Sequence, residues 1–416
     1  MVTPSIRSPQ RIPSPVECPD VPSLARGHPV NPETHPLTVP QKPKLLFFVT
    51  EDWYFCSHRL PLAIAALAAG YEVVLATRVK DHRAIIEAAG IRLLPLDLSR
   101  GAKNPFKDWR TLLKLYQILR SERPDILHNV AMKPVLYGSL AAKFGGKACV
   151  INALAGLGHL FVVDGRSGHL RRLVHFALKA LLFRSGRIIV QNPDDLRLLV
   201  DSGTIERSQA TLIRGSGADL DRFKPTKEPS GPAVVVMAAR LLWDKGVGEF
   251  VAAAEKLKRE GVRARFILVG EPDTENHSSI QRDQLEAWAR EGAIEWWGQQ
   301  SDMPAVFSQC HMVCLPSYYG EGVPKVLLEA AAAQRPIITT DMPGCREAVD
   351  HEENGLLVPA RDVEQLANAL RRLIEDPPLR ERLGLAGRYR AEREFGIENV
   401  VSATLGLYRE CLSARP

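Results

Sequence analysis

Residues 44–77 read KLLFFVTEDWYFCSHRLPLAIAALAAGYEVVLAT, and the order of their apolar runs decides the fold. Residues 44–50 are an apolar run of strand length. The segment from about His58 to Ala69 carries the Ala/Leu pattern of a helix, and Gly70 stops it. Residues 71–77 give a second strand. Such a βαβ unit lays its strands parallel and covers both faces of the sheet with helices.

The same alternation continues outward. Further strands are expected at 91–96 (IRLLPL), 124–130 (PDILHNV), 148–154 (ACVINAL) and 187–192 (RIIVQN), with helices around Leu112 to Leu119, around Tyr137 to Ala142, and over 168–184. Residues 209–232, rich in Gly, Pro and Ser, interrupt the pattern. It restarts with AVVVMAAR (233–240) and runs through RFILVG (265–270), AIEWWG (293–298), HMVCLP (311–316), PIITT (336–340) and GLLVP (355–359). The expected fold class is therefore α/β, with two doubly wound, Rossmann-like domains and a cleft between them. The expected organisation is a disordered Pro-rich tail over 1–42, a first domain over 43–220, a linker over 221–231, a second domain over 232–395, and a C-terminal helix over 396–416 that packs back on the first domain. Ligands of such sheets bind beyond the carboxyl ends of the strands.

A length of 416 residues suits two domains and a tail, and no apolar run approaches the roughly 20 residues that span a bilayer. The first 42 residues hold ten prolines and lack the apolar core of a secretory signal. Seven scattered cysteines, odd in number, fit a reducing cytoplasm, and Cys310 with Cys314 reads as core packing rather than a metal pair. Charge is uneven: residues 43–231 carry 28 Lys and Arg against 17 Asp and Glu, residues 232–416 carry 22 against 28. A basic first domain points to an anionic partner: nucleic acid, a phosphorylated substrate or an acidic membrane surface.

The segment from Ser317, SYYGEGVPKVLLEAAAA, follows a strand and opens a helix with Pro324 in its first turn. Amides near Gly322 and Val323 can bind an anion there, helped by the helix dipole, and Gly322 lets backbone approach a ligand closely. Glu321 stands at the anion's edge. Glu329 lies within an apolar run, where a carboxylate needs a partner such as a sugar's hydroxyls. In AARLLWDKG (238–246), Arg240 and Lys245 sit in a strand-to-helix loop and can converge on a diphosphate. Asp219-Leu-Asp221 has the spacing of a metal-binding pair but falls in the linker, so it reads as structural. No metal and no cofactor is expected. His58 and His128 lie beside strand ends of the first domain, as candidates for contact with acceptor or diphosphate.

These segments resemble glycosyltransferase family 4, in particular the bacterial branch that builds capsular, exopolysaccharide and lipid-linked oligosaccharides. The resemblance runs from about Lys44 to Tyr408. It is carried by TEDWYFCSHRLPLA, KPVLYGSLAA, NALAGLGHLF, IVQNPDD, GSGADLDRF, AARLLWDKG, LVGEPD, EWWGQQSDMP and EGVPKVLLE, which occur together and in order. It implies a retaining GT-B enzyme that takes a sugar from a nucleotide sugar, with UDP-N-acetylhexosamine or UDP-hexose the expected donor. Arg240 and Lys245 would hold the donor diphosphate, Glu321 the sugar hydroxyls, Glu329 the ribose, Gly322 and Val323 sugar and phosphate, and Gln300 and Asp302 would lie along the base. The acceptor would be a polyprenyl-diphosphate-linked or other glycan, with Trp53 and the loop to His58 facing the reaction centre. Trp53-Tyr54-Phe55 replaces the glycine-rich loop of many relatives. A donor phosphate oxygen would receive the acceptor's proton.

The segment 168–184 has Leu170, Leu173, Val174, Ala177 and Leu181 on one stripe, expected to face the sheet. Opposite lie Arg172, Phe176, Lys179 and Phe183, a face suited to acidic headgroups on the inner surface of the cell membrane. Three other readings compete. A nucleic-acid-binding protein would need aromatics interleaved with its basic residues. A nicotinamide oxidoreductase would need G-x-G-x-x-G after a first strand, which is missing. Another GT-B enzyme, such as a nucleotide-sugar epimerase, would consume donor without an acceptor.

Overall fold

The computed structural model describes residues 42–98, 105–157 and 168–414, with the side chains of Pro105, Lys107 and residues 168–174 outside the description. The proline-rich stretch ahead of Lys42 lies outside the described residues. The first sheet and its helices are β1 (Lys44–Glu51), α1 (Asp52–His58), α2 (Leu60–Ala68), β2 (Glu72–Arg78), α3 (Arg83–Ala88), β3 (Arg92–Pro95), α4 (Pro105–Glu122), β4 (Ile126–Val130), α5 (Met132–Gly145), β5 (Cys149–Leu154), α6 (Gly168–Leu182), β6 (Arg187–Val190), α7 (Pro193–Asp201) and β7 (Ala210–Leu212). The second set is β8 (Ala233–Ala238), α8 (Val247–Arg259), β9 (Ala264–Val269), α9 (Arg282–Arg290), β10 (Glu295–Trp296), α10 (Met303–Ser308), β11 (Met312–Leu315), α11 (Lys325–Ala332), β12 (Ile337–Thr340), α12 (Cys345–Ala348), β13 (Gly355–Val358), α13 (Val363–Glu375), α14 (Pro377–Arg390) and α15 (Ile397–Ser413).

The strand orders are β3-β2-β1-β4-β5-β6-β7 and β10-β9-β8-β11-β12-β13, with every pairing parallel. Each order reverses beside its first strand, between β1 and β4 and between β8 and β11. Helices leave in opposite directions there, so a crevice opens at the carboxyl ends. Leu45 to Val49 of β1 and Val234 to Met237 of β8 are buried, because helices cover both faces.

The chain passes between the domains twice, and the two passages are joined. The Ala218 N–H donates to Phe395 O at 2.8 Å, and the Ile397 N–H donates to Ala218 O at 2.9 Å. Beyond this pair α15 returns to the first domain, where Val400, Leu407, Tyr408 and Cys411 join its buried core. Tyr408 Oη lies 2.6 Å from His128 Nδ1, and Phe47 stacks on the His128 ring. His128 is therefore a core residue rather than an acceptor-side one. Burial holds its imidazole well below the usual histidine range.

Other expectations also need correction. Helix begins at Asp52 rather than His58, because the buried Asp52 carboxylate gathers the N–H groups of Trp53 at 2.7 Å, Lys80 at 2.6 Å and His82 at 3.1 Å. The sheet-facing residues of α6 are Leu178 and Leu182, both fully buried, while Ala177 and Leu181 are half-buried. The stripe is thus turned by one position from the one read in sequence. Cys149 and Cys411 are joined in a disulfide with their Cα atoms 5.9 Å apart, which the reading of seven scattered cysteines as fitting a reducing cytoplasm did not foresee. Cys310 and Cys314 are buried in the second core. Among the described residues no helix is long and apolar enough to cross a membrane.

Candidate active site

A cavity of about 550 Å³ lies between the carboxyl edges of the two sheets. Val49 and Thr50 of β1, Val130 at the end of β4 with Ala131 after it, and Gln191 beyond β6 line it from the first domain; Ala238 to Arg240, Lys245 and Glu321 to Val326 line it from the second. Both cations follow β8. Lys245 is held by a salt bridge to Glu321, its side chain 13% exposed and its partner's 12%. Arg240 is more exposed than Lys245 and donates to Asp273 Oδ2 at 2.8 Å.

Glu321 uses one carboxylate oxygen on Lys245, and its Oε1 is buried without a hydrogen-bond partner among the described residues. An orphan carboxylate oxygen in a cavity is costly unless a ligand hydroxyl supplies its hydrogen bond. The Glu321-Gly322-Val323 turn is packed closely on both sides. A Cβ on Gly322 would lie 1.9 Å from Gln191 Oε1, and one on Gly344 would lie 1.7 Å from Gly322 O. The Val323 N–H is not open to an anion, because it donates to Gln191 Oε1 at 3.1 Å. Pro324 has no N–H, so the helix-start amides that remain for an anion belong to Lys325 and Val326, which line the cavity.

Glu329 is buried on α11 and pairs with Lys325 at 3.0 Å. Burial raises its carboxyl above the usual range, with Lys325 opposing that shift. It stands behind the lining residues rather than among them. Gln300 and Asp302 sit away from the cavity: Gln300 donates to Trp297 O at 2.7 Å, and Asp302 caps α10 by accepting from the Ala305 N–H at 3.2 Å. Gln299 instead lines a second hollow beside Arg240, with Glu271, Asp273 and Glu275. Trp53, Tyr54, Ser57 and His58 of α1 line the main cavity, with the rings of Tyr54 and His58 stacked 4.1 Å apart. Desolvation, reinforced by Lys325, pushes the His58 imidazole down to about 3, so it is neutral at pH 7 and can offer hydrogen bonds but no charge. Asp219 accepts the N–H groups of Asp221 at 3.1 Å and Arg222 at 2.9 Å, which makes that segment a turn.

Sequence reasoning gave Gln191 no role, although it stands at the end of a strand and within the IVQNPDD segment. It also missed the outer stripe of α4. Phe106, Trp109 and Leu113, spaced three and four apart, are exposed opposite the buried Thr111, Leu115 and Leu119. Phe176 of α6, Phe183 just beyond its end and Phe144 of α5 are exposed as well, and Lys179 stands exposed on α6. The Arg172 side chain lies outside the described ones.

Two parallel, doubly wound domains with a cation-lined cavity between their carboxyl edges are the architecture of a GT-B glycosyltransferase. The same fold is found in sucrose-phosphate synthase from Thermosynechococcus elongatus, with a TM-score of 0.75 at 22% identity over 90% of this chain and 100% of that one. It is found also in Anabaena HepE with UDP-glucose, with a TM-score of 0.69 at 17% identity over 87% and 99%. The family described as Glycosyl transferases group 1 matches residues 219–390, and Glycosyl transferase 4-like matches residues 44–192. The chain belongs to this group, glycosyltransferase family 4, and is an enzyme of the hexosyltransferase type. It is 28% identical to the N,N'-diacetylbacillosaminyl-diphospho-undecaprenol alpha-1,3-N-acetylgalactosaminyltransferase of Campylobacter jejuni, over 77% of this chain and 87% of that protein. It is 25% identical to the UDP-Gal:alpha-D-GlcNAc-diphosphoundecaprenol alpha-1,3-galactosyltransferase of Escherichia coli, over 66% and 72%.

Proposed function

We propose that the chain moves a hexosyl group, with retention at the anomeric carbon, from a UDP-sugar to a polyprenyl-diphosphate-linked glycan during assembly of a bacterial surface polysaccharide. The carrying observation is the Lys245–Glu321 pair ahead of α11 in the cavity wall, with a Glu321 oxygen that is buried and has no partner among the described residues. Lys245, the Lys325 and Val326 amides and, once released from Asp273, Arg240 stabilise the charge that grows on the leaving diphosphate. Glu321 orients the sugar by accepting from its hydroxyls. Glu329 takes a ribose hydroxyl when Lys325 turns toward the diphosphate. An oxygen of that diphosphate takes the acceptor's proton as its hydroxyl attacks from the same face, so no enzymic nucleophile is used. The named acceptors of the relatives carry a lipid, which supports action at the inner face of the cell membrane through the exposed face of α4, α5 and α6.

Turnover of UDP-N-acetylglucosamine, UDP-N-acetylgalactosamine, UDP-glucose and UDP-galactose with a polyprenyl-diphosphate-linked sugar tests the reading. Lys245→Ala is expected to lose about a hundredfold or more in kcat, and Glu321→Gln to slow transfer with little change in UDP affinity. Near-normal turnover in both variants removes this site. Donor consumed without acceptor would identify an epimerase instead.

A further inference from the structure

Gln191 belongs to the first domain, yet its side chain is oriented by the second. It follows β6, is 5% exposed, and accepts the Val323 N–H through Oε1 at 3.1 Å. An N–H can donate only to the oxygen of an amide, so this bond decides which way the carboxamide points. Gly322 makes the approach possible, since a Cβ there would collide with the same oxygen at 1.9 Å. The next residue holds the turn from a second side: Asn192 Nδ2 donates to Glu321 O at 3.2 Å. Asn192 is anchored in turn, its Oδ1 accepting the Asp195 N–H at 2.7 Å and its Nδ2 donating to Asp195 Oδ2 at 2.9 Å.

The Nε2 group of Gln191 makes no hydrogen bond among the described residues and keeps some exposure, while the residue lines the cavity. A rigidly held pair of N–H donors thus borders the cavity in whose wall the Glu321 oxygen without a partner among the described residues is buried. One offers hydrogens and the other accepts them. A sugar hydroxyl both donates and accepts, and neighbouring hydroxyls of a pyranose do so in directions that depend on configuration.

We propose that Gln191 reads a hydroxyl of the transferred sugar together with Glu321, and so is a specificity-determining residue for the donor. The proposal rests on the glycosyl-transfer reading above. Binding the sugar then ties the two domains together, because Gln191 and Glu321 come from opposite walls of the cleft.

Gln191→Glu is the first test, because it keeps an oxygen for the Val323 N–H and replaces the N–H donors by an acceptor. With whichever of UDP-N-acetylglucosamine and its 4-epimer the unaltered enzyme turns over faster, kcat/KM should fall about tenfold or more and the preference between the epimers should change. Affinity for UDP, which lacks the sugar, should stay within about twofold. The second test uses donors deoxygenated at positions 3, 4 and 6 of the sugar with Gln191→Ala. At one position the losses from the variant and from the missing hydroxyl should overlap rather than multiply. Full kcat/KM with an unchanged epimer preference in Gln191→Glu, or multiplicative losses at every ring position, overturns the proposal. Failure of the unaltered enzyme to turn over any of the four UDP-sugars speaks instead against the glycosyl-transfer reading.

Discussion

Asp195 is buried beside the Asn192 amide that grips the Glu321 turn. Burial pushes its carboxyl up to about 7, although the Asn192 hydrogen bond pulls the other way. An unfolded aspartate titrates near 4, so the folded state holds its proton longer than the unfolded state. The sign follows from that order: ionisation costs folding nothing below about pH 4, the penalty accumulates up to about pH 7, and it is constant above. Asp195→Asn keeps an acceptor for Asn192 and cannot ionise. Its Tm should exceed that of the unaltered chain at pH 8, with the gain shrinking toward pH 4.5, in paired thermal melts. A gain that grows on acidification would contradict the assignment. At this scale Lys245, Glu321 and Arg240 were legible, because each sits in a local strand-to-helix loop that marks a ligand site. Gln191 was not, since its role depends on a residue 132 positions away.

At the scale of elements, α15 is the C-terminal part of the chain that completes the first domain's core. Tyr408 is fully buried on it and supplies the hydrogen-bond partner of His128, a residue 280 positions earlier. Tyr408→Phe keeps the packing and orphans the Nδ1 of a buried histidine, which should cost about 1–3 kcal/mol. Tyr408→Ala adds a cavity and should cost about 3–5 kcal/mol, as truncation of other large aromatics does. Denaturant melts check both, and equal stability of Tyr408→Phe and the unaltered chain would mean that the bond has no net value. Strands were legible as continuous apolar runs between helices, because a sheet covered on both faces needs no alternation. The three-residue β7 escaped, since Ala210–Leu212 lies inside a stretch dense in helix and strand breakers. Residues 293–298 looked like a full strand, yet only Glu295–Trp296 pairs, at the sheet's edge. The helical state of Asp52–His58 was hidden because the N–H groups that Asp52 gathers include those of residues 80 and 82, which are distant in sequence.

Across the whole molecule the surplus positive charge of the first domain gathers on one layer. Helices α4, α5 and α6 carry nine Lys and Arg and two Asp and Glu in sequence. Both acids are paired, Asp108 with Lys133 at 2.7 Å and Glu122 with Lys44 at 3.1 Å. From this layer project Phe106, 78% exposed, Trp109, 59%, Phe144, 74%, and Phe176, 70%. Water disfavours such a display, whereas an acidic membrane takes up the rings and attracts the cations. The Lys133–Asp108 bridge places the first turns of α4 and α5 side by side, and α5 starts just beyond Val130 and Ala131 in the cavity wall. Phe106 and Trp109 therefore sit at the end of the layer nearest the cleft, where a lipid-borne acceptor would enter. Only the α6 part was visible in sequence, because the face is assembled from helices whose order along the chain says nothing of their shared surface. Vesicles containing phosphatidylglycerol should sediment the chain at low salt and release it as salt rises, with each basic residue near the surface worth about 1 kcal/mol. Phe106→Ser with Trp109→Ser should weaken sedimentation at least tenfold, since each ring gives up about 1.5–3 kcal/mol of apolar burial when fully inserted. Lys179→Glu should act mainly at low salt, and turnover of a short-chain, water-soluble acceptor should be unchanged in all of these variants. Absence of binding at low salt, or full binding by the Phe106→Ser, Trp109→Ser variant, would show that this face meets something other than a membrane.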